Sequence, residues 1–147
     1  MKTRVFDRSL GKQRGAAAIE FAVVFVFFFA IFYGIVSYSL PMLMMQSFNN
    51  AAAEAARQAV ALVPGEADYQ ANSQTVVNDA LGWMSATAFA RVITTASGPD
   101  SDSIFSVTVS YPYKDHPLVP FLSLPGVGQI PRVPDNLTAT ASIKLSE

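Results

Sequence analysis

The sequence predicts an α+β protein: one long N-terminal transmembrane helix continues into a small domain with a second helix and an antiparallel β-strand pair. Three observations carry this. Residues 21–45 form a run of 25 without a formal charge, including five consecutive apolar residues from Phe25 to Phe29. Residues 72–93 carry Val77, Ala80, Leu81, Met84, Ala88 and Val92 at helical spacing. Two later segments alternate apolar and hydroxyl residues with the period of a half-buried strand.

The N-terminal helix is set by length and charge. An apolar stretch of about 20 residues spans the roughly 30 Å hydrocarbon core, and residues 21–40 alone meet that requirement. Residues 1–15 hold Lys2, Arg4, Arg8, Lys12 and Arg14 against the single acid Asp7, a net charge of +4. Of the chain's ten basic and eleven acidic residues this leaves five and ten, so the remainder is net −5. Basic residues beside a span favour the cytoplasmic side, which predicts an N-in orientation with everything after Met45 outside the cytoplasm. The run is longer than the apolar core of a cleaved secretory signal, and no small-x-small site closes it. An uncleaved signal anchor presenting an extracytoplasmic binding module is the alternative reading.

Glu20 separates these readings. A carboxylate placed deep in a bilayer costs about 2.5 kcal/mol or more, so it requires a site at the interface or a partner. Its neighbours are Lys12-Gln13-Arg14-Gly15-Ala16-Ala17-Ala18-Ile19-Glu20-Phe21: a basic patch, a glycine, a glutamate five residues later and an apolar helix. This pattern resembles a class III prepilin signal, and residues 15–24 resemble the start of TadE-like proteins (TadE or TadF), pseudopilins of the tight-adherence (Tad/Flp) pilus. The resemblance implies cleavage by a prepilin peptidase between Gly15 and Ala16, leaving the helix on the mature chain. Glu20 is then implied as the charge partner of the new α-amine on a neighbouring subunit. A buried charge is tolerable when paired. The implied organisation is a leader at 1–15, an anchoring and assembly helix at 16–45, a helix extension at 46–63 and an extracytoplasmic domain at 64–147. Implied partners are the peptidase, other Tad pilins or pseudopilins and the assembly-platform proteins, and the implied location is a bacterial inner membrane with the domain on the periplasmic side.

Beyond the span, Phe48, Ala52, Ala55, Ala59 and Leu62 keep one helical face apolar, and Pro64-Gly65 ends the pattern. Pro41 removes a backbone donor and is expected to kink or loosen the helix. Glu54 and Arg57, three apart, are placed to pair. Ser97-Gly98-Pro99-Asp100 reads as a turn. Phe105, Val107, Val109, Tyr111 and Tyr113 alternate with Ser106, Thr108 and Ser110, and Leu137, Ala139, Ala141, Ile143 and Leu145 alternate with Thr138, Thr140, Ser142 and Lys144. The segment between them, residues 112–135, holds six of the nine prolines and reads as a long loop. Within it Phe121 and Leu124 either fold back on the sheet or offer a partner contact.

No catalytic centre is expected. Cysteine is absent, which excludes a disulfide framework and thiolate chemistry. The single histidine, His116, lies in the proline-rich loop and is a weak metal signal by itself. No Gly-x-Ser-x-Gly elbow or phosphate-binding glycine loop is present, and no basic stripe suits nucleic acid. No metal or other cofactor is expected.

Overall fold

The computed structural model describes residues 13–62, 68–126 and 128–145; most of the predicted leader, residues 1–12, lies outside that set. Helix α1 spans Gln13–Ala59, α2 Tyr69–Ala80 and α3 Ala86–Phe89. The strands are β1 (Ile93–Ser97), β2 (Ile104–Tyr111), β3 (Leu122–Leu124), β4 (Gly128–Ile130) and β5 (Leu137–Lys144). This is the predicted α+β class. The chain divides into two compact units, Met1–Val36 and Ser37–Glu147.

In the first unit α1 is an apolar cylinder. Its best 18-residue window has a mean hydropathy of 2.5, with no part buried by the rest of the chain, and the helix is long enough to cross a bilayer. Pro41, in the second unit, lies inside α1 without ending it. The missing N–H is offset by packing further along the helix, because Met44, Phe48, Ala51, Ala52, Ala55 and Ala59 are all buried in the domain core. Their three- and four-residue spacing is the helical face expected from the sequence. The helix extension and the sheet therefore fold as one unit beginning at Ser37. Glu54 and Arg57 do form an ion pair, but the Arg57 side chain is largely exposed and such pairs contribute little.

The second helix is shorter than expected. Residues 72–93 read as one helix, yet α2 stops at Ala80 and is followed by turns through Trp83 and a bend at Met84. Gly82 weakens helix propagation, and the Ser85 side chain instead caps α3, accepting from the Ala88 N–H at 3.4 Å. Leu81, Met84 and Ala88 nonetheless reach the core. From Ile93 the β-branched run Ile93-Thr94-Thr95 becomes a strand that the helical periodicity masks. At its other end α2 is capped by Asp68, whose carboxylate accepts from the Ala71 N–H at 2.9 Å.

The predicted antiparallel pair is present as β2 and β5, in register from Ile104↔Lys144 to Tyr111↔Leu137. Strand β1 adds to it, giving a three-stranded sheet of order β1-β2-β5. Phe105, Val107, Val109, Tyr111, Leu137 and Ala139 point into the core shared with α1 and α2. The other face carries the hydroxyls, with Ser106 and Ser142 2.8 Å apart and Thr108 and Thr140 3.0 Å apart. The β1–β2 connection needs Gly98: its φ is +105°, and a Cβ there would strike the Ile104 carbonyl oxygen. Asp100 closes the same loop by accepting from the Asp102 and Ile104 N–H groups at 3.0 and 2.8 Å.

The proline-rich segment is more ordered than a plain loop. It contains the β3–β4 hairpin, paired from Leu122↔Ile130 to Leu124↔Gly128. Its ends are tied where the Lys114 N–H donates to the Asp135 carbonyl and the Lys114 ammonium meets the Asp135 carboxylate, each at 3.0 Å. Val119 and Pro131 are buried.

Candidate processing and assembly site

Gly15, Ala16 and Glu20 occupy the first turns of α1, and all three are exposed. A helix brings residues four apart onto one face, so Ala16 and Glu20 are stacked one turn apart. A Cβ added at Gly15 meets nothing within 4 Å. The local fold places no demand on that glycine.

C-terminal to Glu20 the helix surface is aromatic. Phe21 and Phe25 stack with centroids 6.1 Å apart, Phe25 and Phe29 at 6.3 Å, and Phe28 and Phe32 at 6.3 Å. Each pair is four residues apart, so the rings form ridges along the helix. Phe21 is 71 % exposed and Phe28 64 %. Water would penalise this much bare hydrocarbon at roughly 25 cal/mol per Å², so the surface is built for lipid or for other helices.

The other predicted contact residues stand apart. Phe121 is half-buried and packs edge-on against Tyr113, with ring centroids 6.2 Å apart. The Leu124 backbone pairs in β3, but its side chain lies outside the described set. His116 lines a polar cleft of about 360 Å³ with Ser85, Thr87, Arg91, Tyr111 and Asp115. The Tyr111 hydroxyl donates to the His116 carbonyl at 2.8 Å. Burial pushes this phenol above its ordinary range, while the Arg91 charge pulls the other way. Among the described residues no group of three or more His, Asp or Glu side chains could hold a metal ion.

A second recess is not legible in the sequence. Tyr38, Pro41, Met42 and Met45 of α1 face Val133, Pro134 and Leu137 across an apolar groove of about 260 Å³. The Arg132 N–H donates to the Tyr38 hydroxyl at 3.0 Å, fixing the loop over the helix. Met42 and Met45 share a helix face, which is a weak signal for the helical wall, but nothing local indicates that residues 132–137 return to it.

The exposed glycine, the carboxylate one turn beyond the next alanine and the unburied apolar helix together describe an N-terminal module, and the family comparison matches that module. Residues 15–57 match the family model of TadE-like proteins. The TadE-like stretch opens at Gly15 and closes within the last turn of α1, so it contains Ala16, Glu20, the aromatic ridges and the core residues of α1 from Met44 to Ala56. It points to a Tad pilus-related protein. The α2–β5 portion lies beyond it. Neither the curated proteins nor the solved structures contain a match to the chain.

Proposed function

We propose that this chain is a minor pilin or pseudopilin that helps initiate or assemble a Tad-type adhesion pilus. It inserts N-in, is cut after Gly15 by a prepilin peptidase, and holds its α+β domain on the periplasmic side of the inner membrane. The observation that carries this reading is the TadE-like match beginning at the same glycine that precedes an unburied spanning helix. Cutting there gives Ala16 a positively charged α-amine at the edge of an apolar surface. Glu20 on an adjacent subunit neutralises it as helices pack side by side, and both charges leave water together. The aromatic ridges supply the remaining contact area, so the protein acts by packing rather than by chemistry. Its partners on this reading are other Tad pilins or pseudopilins and the assembly platform.

Replacing Glu20 with Ala tests the assembly step separately from processing. Cells carrying E20A are expected to cut the leader normally but to lose pili and to lose co-purification of the chain with other pilus subunits. Normal pilus number and normal co-purification in E20A would remove the proposed role of the carboxylate.

A further inference from the structure

The two edges of the three-stranded sheet are treated differently. On β1, the Gln70 side chain of α2 donates to the Thr94 carbonyl at 2.9 Å and accepts from the Ala96 N–H at 2.6 Å. One side-chain amide thus occupies the outward groups of β1 as a neighbouring strand would. Blocking an edge in this way prevents further pairing. On β5 no such cover exists among the described residues. The Leu145 N–H bonds the Ser103 carbonyl of the segment entering β2. In an antiparallel ladder the hydrogen-bonded pairs alternate, so the odd-numbered residues of β5 face β2 and Thr138, Thr140 and Ser142 turn their N–H and C=O groups outward. Their side chains are exposed, and no proline lies within the strand.

We propose that the β5 edge binds the β5 edge of a second copy of this chain, antiparallel and centred on Thr140. The pairing does not depend on the pilin reading. Centred on Thr140, the strand is complementary to itself. Thr140 meets the partner's Thr140, exchanging two backbone hydrogen bonds, and Thr138 meets the partner's Ser142 in the same way. Hydroxyls therefore oppose hydroxyls, continuing the ladders already formed by Ser106 with Ser142 and Thr108 with Thr140. On the core-facing side Ala139 meets the partner's Ala141, and Leu137 meets the partner's Ile143. Leu137 lines the apolar groove against α1, so the partner's Ile143 adds hydrocarbon to a wall that is already apolar. The strand's single charge, Lys144, falls opposite the partner's Asn136, so no like charges meet. Slipping the register by one residue would set Thr140 against the partner's Ala141 and bring hydroxyl and apolar faces together. The interface is isologous and closes at two copies.

The absence of cysteine makes single-cysteine variants of the full chain in detergent micelles a clean test. With a short bis-methanethiosulfonate cross-linker, T140C is expected to give a covalent dimer, because paired positions lie about 5.5 Å apart. T95C, exposed on β1, is expected to stay monomeric, since five strand spacings of about 4.8 Å would separate it from its counterpart. T140K sets two lysines against each other at an exposed position and is expected to sediment as a monomer, with the circular dichroism of the wild-type dimer's folded domain retained. A wild-type chain that sediments as a monomer, a T140C chain that does not cross-link, equal cross-linking of T95C, or a T140K chain that remains dimeric would each overturn the proposal.

Discussion

Phe105→Ala is expected to destabilise the α+β domain by about 3–5 kcal/mol, the usual cost of truncating a fully buried aromatic. Phe105 has no exposed surface and stands where the sheet meets α2, its ring 5.1 Å from that of Tyr69. Its neighbours cannot close the space. Val107 on the same face is set by the β2–β5 register, and Tyr69 is held at the N-terminus of α2 beside the Asp68 cap. A domain of this size has only about 5–15 kcal/mol of total stability, so the loss removes much of it. The thermal midpoint should fall by more than about 10 °C, given the usual shift of about 4–8 °C per kcal/mol for small domains. Scanning calorimetry or near-ultraviolet circular dichroism of the full chain in detergent reads this directly. A shift of only a few degrees would mean that the core is assembled differently.

The second large effect is expected at Gly15. Gly15→Val should abolish removal of the leader, leaving the full precursor mass in membranes of cells that contain the peptidase. The structure makes this substitution informative because a side chain at Gly15 enters open space and α1 carries no packing there. A processing defect would therefore reflect recognition of the cleavage position and not a misfolded substrate. Valine is also tolerated in apolar helices, and the span already contains Val23, Val24 and Val26. Normal processing of G15V would place the cleavage determinant elsewhere.

The parts legible from sequence are those in which one face of an element meets the core and the other meets solvent. The alternations in β2 and β5 and the Phe48–Ala52–Ala55–Ala59 stripe of α1 arise directly from that division. Strand β1 escapes because its alternation of exposed and half-buried positions is not matched by residue type: Ile93 lies on the exposed side and Thr94 on the half-buried side. Leu81, Met84 and Ala88 mislead in the opposite sense. All three enter the core, but from turns and a separate helical turn, so their spacing mimics an uninterrupted helix. The β3–β4 strands are three residues each, too short for an alternation to show, and of the hairpin only the Pro125-Gly126 turn is readable locally. At the N-terminus Gly15 and Glu20 can be recognised because a motif is a linear object. The groove beneath Tyr38 and the Gln70 contacts on β1 join residues far apart in the chain, and only the fold brings them together.

On the proposed reading the N-terminal helix is a processed assembly element, and the mass of the mature protein tests that most directly. Intact-mass measurement of the chain from membranes, with and without prepilin peptidase, should give a species beginning at Ala16 only when the peptidase is present. A chain that keeps residues 1–15 in cells with an active peptidase would contradict it.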